Sequence, residues 1–193
     1  MNELLEKIPG LKQAIERERF IRDQSFLDLP EKLCGIEVQP LTLRRWILLN
    51  SCGSPFVCGG IVEPYDVASM FIVLTGKNRG FRKFLLLRKV RRLRLKESIA
   101  EIELFFDEQL QDKPASTKGE YVSYFSFAAG LVDRFGSEYG WSEAQTLDAP
   151  VKRLFQYMKA ITKRHNQKAI MFNPSDKVKG RWLREQNEIT ATN

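Results

Sequence analysis

Chemistry at a protein site needs a nucleophile, a proton carrier, a metal cage or a phosphate grip, and this chain offers one weak candidate for each. The three cysteines, Cys34, Cys52 and Cys58, and the single histidine, His165, supply by count the four ligands of a Cys3His zinc site. Their spacing argues against one. No Cys-x-x-Cys pair pre-forms half of the cage, and Cys34 and Cys58 sit beside glycines and apolar residues, as small buried thiols do. A Cys/His dyad would draw on the same residues, and none of the cysteines stands in a recognisable nucleophile motif. His165, within TKRHNQK, reads as a polar residue at a helix end. An odd number of cysteines also points to reduced thiols rather than a disulfide framework.

LTGKNRG lacks the Gly-x-x-x-x-Gly-Lys-Ser/Thr spacing of a phosphate loop, so Gly76 reads as a helix cap. Glu97, Glu101, Glu103, Asp107 and Glu108 fall on one helical segment without the Glu-x-x-His pairs of a di-metal site, and read as a solvated face. The expectation is a non-enzymatic protein with no cofactor and no metal.

The basic run from Lys77 to Lys96 carries more information. It holds six arginines and four lysines, and arginine suits phosphate recognition. Arg88, Lys89, Arg91, Arg92 and Arg94 are its candidate contacts to nucleic acid or to an acidic protein. The bland account is a solvated or acid-paired helix face. On a single continuous helix, Arg88, Arg91, Arg92 and Lys96 would share one side, and Leu86, Val90 and Leu93 would point to the core.

These residues must be positioned by helices. Leu4, Leu5, Ile8, Leu11, Ala14 and Ile15 predict an N-terminal amphipathic helix over 3–23, interrupted at Pro9-Gly10. FLDLPEKLCGIEV reads as a loop or edge segment in which Ile36-Glu37-Val38 alternates like a short strand. Pro40 and Thr42 open a helix with a broad apolar face of Leu41, Trp46, Ile47, Leu48 and Leu49. NSCGSPF ends it, and Pro55 is expected to keep helix from resuming until the chain has turned. Pro64 and Asp66 then start a helix with the stripe Val67, Met70, Phe71 and Leu74, stopped at Gly76. Residues 81–110 form one long helix or two broken near Leu95, with basic charge first and acidic charge second, so that copies of this unit would attract head to tail.

QDKPASTKGE is the clearest linker. Tyr121, Tyr124, Phe125, Ala128, Leu131, Val132 and Phe135 mark the next helix, ended by Gly136. SEYGWSEAQTLDAP holds a turn and a short helix. Pro150 opens a helix through Val151, Leu154, Phe155, Met158 and Ile161, and a turn at Asn173-Pro174-Ser175 precedes a last helix with Val178, Trp182 and Leu183. The sum is a mainly α fold: a compact multi-helix domain of about six to eight helices with short Gly/Pro elbows and little strand. Residues 1–25 form a helical arm, 26–112 the elbow and charged-helix region, and 113–193 a C-terminal helical region joined to 26–112 in one globular unit.

Composition agrees with a soluble, folded protein: 43% hydrophobic, 28% charged, net charge +7. That charge favours acidic partners. MNELLEKIPG lacks the character of a signal peptide, and no stretch approaches the ~18 apolar residues of a membrane span. No membrane association is expected.

LTLRRWILLNSCGSPFVCGG followed by EPYDVASMFIVLTG is similar to a pattern in small proteins of tailed-phage and prophage tail modules, the tail assembly chaperones. In that pattern a helix ends in a Gly-Ser-Pro-Phe elbow, here Gly53, Ser54, Pro55 and Phe56, and a second helix begins with an acidic, Pro-containing start. The likeness covers residues 39–76, and FNPSDKVKGRWLREQNE also looks like part of a virion-module protein. It implies a non-enzymatic helical protein that coats the long helical tape-measure protein while the tail tube polymerises, in the host cytoplasm; the charge reversal over 81–110 and the N-terminal arm add the expectation of a homo-oligomer. Partner contacts would fall at Trp46, Pro55, Phe56 and Tyr65. The basic run has no counterpart in that pattern, which leaves open a component that stays in the virion, near the genome, and touches nucleic acid.

Overall fold

The structure, a computed structural model, describes residues 8, 10–24, 26–27, 30–110 and 126–168. It divides into two units, Met1–Leu27 with Thr162–Asn193, and Asp28–Ile161. The expected apolar positions Leu4 and Leu5, the linker 111–120, Tyr121, Tyr124, Phe125 and the C-terminal turn and helix lie outside the described residues.

In the smaller unit, helix α1 (Leu11–Gln24) begins just after the Pro9-Gly10 interruption, with Ile8 and Leu11 buried at its start. The larger unit opens with strands β1 (Glu31–Leu33) and β2 (Ile36–Val38), paired antiparallel with Leu33 opposite Ile36. The alternation at Ile36–Val38 is the expected strand. Its partner lies in the stretch read as loop, where the two-residue Cys34-Gly35 turn, both at positive φ, folds the chain straight back.

Helix α2 (Leu43–Ser51) is capped by Thr42, whose hydroxyl accepts the Arg45 N–H at 3.3 Å. Its end is not followed by a helix-free reversal. Pro55 starts a one-turn helix, α3 (Pro55–Cys58), because proline at the first helical position lacks only an N–H that would have no partner there. Helix α4 (Pro64–Thr75) then starts with the Asp66 carboxylate accepting the Glu63 N–H at 2.8 Å and buries Val67, Met70, Phe71 and Leu74, the whole expected stripe. Gly76 closes it at φ +66°, a conformation that penalises a side chain. The charged region is two helices, α5 (Gly80–Val90) and α6 (Leu95–Leu110), parted by a turn over 91–94.

Helix α7 (Phe127–Tyr139) runs through Gly136 instead of stopping there. The left-handed cap is Gly140 (φ +66°), and Trp141 N–H reaches back to the Phe135 carbonyl at 3.3 Å. Helix α8 (Glu143–Asp148) has a capping box in which Ser142 and Gln145 exchange hydrogen bonds. Helix α9 (Val151–His165) follows Pro150 as expected.

Two backbone hydrogen bonds, Val151 N–H to the Leu41 carbonyl (2.8 Å) and Leu43 N–H to the Ala149 carbonyl (3.1 Å), tie the starts of α2 and α9 together. Around this tie lie the fully buried Leu41, Leu43, Phe71, Phe135, Leu154 and Phe155. The fold is mainly α, with one small hairpin among the described residues.

Candidate functional site

Helix α5 packs on α4 through Leu86 and Val90. Most of its other side chains face water. Phe81 is 72% exposed, Phe84 61% and Leu85 41%, with the two phenyl rings stacked at 6.4 Å. Exposed Arg82, Arg88 and Lys89 stand among them. Aromatic rings left in water on a helix that already buries one side are the marks of an interaction surface.

The five cations singled out from the sequence, Arg88, Lys89, Arg91, Arg92 and Arg94, are all exposed. Because the helix ends at Val90, the shared face of Arg88, Arg91, Arg92 and Lys96 expected of a continuous helix does not form. Instead Arg88, Arg91 and Arg92 gather with Phe84 and Leu87 around a hollow of about 300 Å³. Among the described residues only Arg94 of these five has an ion-pair partner, Glu97 at 3.3 Å.

A larger groove, about 630 Å³, runs between α4 and the α5–α6 turn. Ala68 and Ile72 of α4, Leu87 and Val90 of α5, and Leu93 and Leu95 beyond it supply apolar lining. Tyr65, 76% exposed, and the exposed Lys83 and Arg91 line it too. Tyr65 and Arg91, expected to serve different partners, therefore share one groove.

The other elbow residues are placed differently. Phe56, half-buried, stacks flat on Phe106 of α6 at 5.9 Å, and Trp46 sets its edge against Phe127 of α7 at 5.5 Å. Pro55 is half-buried at the start of α3. These rings are engaged in packing within the chain. Sequence reading did not single out Phe81, Phe84 and Leu85, although their i, i+3, i+4 spacing beside the other apolar side of the same helix was a visible signal.

The thiols are separated by environment. Cys34, at φ +49° in the hairpin turn, donates from its N–H to the Glu101 carboxylate and from its thiol to the Ser98 carbonyl at 3.8 Å. Burial, and then the Glu101 charge, push its thiol pKa up from 9.0 to about 11. Cys52 and Cys58 are exposed. At pH 7.5 a maleimide is expected to label these two quickly and Cys34 about tenfold to a hundredfold more slowly, as thiolate supply dictates. Equal labelling by peptide mass spectrometry would contradict that environment. The folded chain keeps the Cys34 proton that an unfolded chain starts to release near pH 9.0, so this stabilisation is complete below pH 9 and disappears as pH rises towards 11.

In the first turn of α2, the Arg44 guanidinium donates to Asp148 at 2.8 Å and holds that carboxyl below its usual range. Arg45 donates to the Pro40 carbonyl at 2.7 Å. His165 belongs to the smaller unit, and among the described residues no three His, Cys, Asp or Glu side chains gather as metal ligands. No described helix is long and apolar enough to cross a membrane.

Set against known protein families, curated proteins and solved structures, the chain matches none. The fold is mainly α, and exposed apolar and basic side chains stand together on α5 and around the groove beside α4.

Proposed function

We propose that this protein is a non-enzymatic assembly factor of the tail assembly chaperone kind, which binds a partner polypeptide, the tape-measure protein, through apolar helix surface. The groove between α4 and the α5–α6 turn carries this reading: an apolar lining open to water, with Tyr65, Lys83 and Arg91 at hand. Its chemistry suits one occupant, an amphipathic helix whose apolar stripe enters the groove and whose carboxylates meet Lys83 and Arg91. What supports the resemblance behind the reading is that α2 stops before Gly53-Ser54 and α4 opens with Pro64 and Asp66, although the one-turn helix α3, which holds Pro55 and Phe56, stands between them. Assembly in the host cytoplasm goes with it.

The test is co-expression with the tape-measure protein of the phage or prophage that encodes the chain. A soluble complex is expected that survives a rise in salt, because apolar burial is insensitive to screening. Tyr65→Ala and Arg91→Glu, both at exposed positions, should weaken it without altering the fold. A tape-measure protein that stays insoluble and unbound, or binding indifferent to both changes, sinks the proposal.

A second reading, a virion structural or nucleic-acid-binding protein, draws on the exposed Arg88, Lys89, Arg91 and Arg92, which have no ion-pair partner among the described residues. Binding through them would weaken by roughly three to five orders of magnitude between 50 and 200 mM salt if six to ten phosphates are contacted. A flat salt profile rejects it.

A further inference from the structure

Two helices of the larger unit turn faces of opposite charge to the solvent. On α5, Phe81, Phe84, Leu85 and Arg88 recur at i, i+3, i+4 and i+7, so they share one side, with Arg82 and Lys89 next to them. All six are exposed. On α6, Ala100, Leu104 and Asp107 recur at i, i+4 and i+7, away from the buried Ile102, Phe105 and Phe106, and Glu103 flanks them; exposed Lys96 stands one turn before Ala100, so the acidic part of this face is its C-terminal half. Leu104 is 60% exposed. Glu97 and Glu101 are already bonded, to Arg94 and to the Cys34 N–H. Glu103 and Asp107 have no hydrogen-bond or ion-pair partner among the described residues.

We propose that these faces are the two halves of one interface, through which a second copy of this chain lays its α6 on the α5 of the first. Each face has an apolar centre among charges, which is the usual anatomy of a contact surface. The charges are complementary, basic on α5 and acidic on α6, and that complementarity specifies a copy of the chain. Both faces are exposed on the same molecule, so they are not satisfied within it. Each copy carries one face of each kind, so a two-fold dimer can use both at once, whereas a contact that uses one face per copy leaves the others open and extends the assembly into a ring or a filament. The inference goes beyond the proposed partner groove. Arg88, Lys89, Glu103 and Asp107 do not line that groove, so either idea can fail alone.

The experiment is sedimentation of the full chain over a roughly hundredfold range of concentration, since mass action must populate the assembly. Wild type is expected to grow in mass with concentration. Arg88→Glu with Lys89→Glu, and separately Glu103→Lys with Asp107→Lys, should each weaken association at least about tenfold by placing like charges opposite one another, with unchanged circular dichroism. Mixing the two variants should restore association, because each presents the charge the other now lacks. A chain that stays monomeric throughout overturns the proposal, as does association that ignores both reversals or is not restored by mixing. A solitary chain whose α5 cations bind an oligonucleotide instead overturns it as well.

Discussion

Replacing Phe135 with alanine is expected to destabilise the larger unit by about 3–5 kcal/mol, the range for truncating a fully buried aromatic side chain. Phe135 is completely buried, and its ring lies 5.2 Å from Trp141, 5.9 Å from Tyr139 and 6.2 Å from Tyr157. Removing it takes away the central member of an aromatic cluster that joins α7, the Gly140 cap and α9. The large and rigid neighbours cannot collapse into the space, so a cavity cost adds to the lost transfer energy. Thermal unfolding followed by near-ultraviolet circular dichroism, which reads the Trp141 environment, should show a drop in Tm of about 6–20 °C for a chain of this length. A drop below about 2 °C would mean that the cluster does not hold these elements together.

The second large effect separates two residues of one helix. Ile102→Asp buries a carboxylate at a fully buried position of α6 with no partner, and should cost several kcal/mol, enough to unfold a marginally stable unit. Leu104→Asp, two residues on and about 200° around the helix, lies at an exposed position and should change stability by no more than about 0.5 kcal/mol. Denaturant midpoints of the two variants measure the contrast. Similar losses at concentrations where the chain is monomeric would place Leu104 against the rest of its own chain and not solvent.

Much of the local structure was legible because its causes are local. The four apolar residues of α4 recur at helical spacing, Asp66 is an acid in a first turn, and Gly76 can adopt the left-handed cap, so the element and its buried side follow from a dozen consecutive residues. The same holds for the strand at Ile36–Val38 and for α9 after Pro150. Reading failed where two local signals competed. Gly136 and Gly140 both offer a helix stop, and the later one prevails because ending there lets Tyr139 and Trp141 pack beside Phe135. At Pro55, a residue that breaks helices from within instead began one.

The candidate site was less legible. Tyr65 and the five cations were named, but Phe81, Phe84 and Leu85 were not, and Trp46 and Phe56 turned out to be engaged with Phe127 and Phe106. Helix α5 is apolar on two sides: Leu86 and Val90 were expected on the core side and are buried, but nothing within GFRKFLLLRKV says that Phe81, Phe84 and Leu85 stay in water.

By itself the sequence determined the helical class, most helix starts and stops, and the charge reversal between α5 and α6, since periodicity, capping and backbone restriction act within a few residues of one another. Only the tertiary structure decided that α4 is the element that covers Leu86 and Val90, where the turn over 91–94 opens a groove, and which rings stay in water. Burial depends on neighbours brought from far along the chain, and those neighbours are chosen when the helices pack.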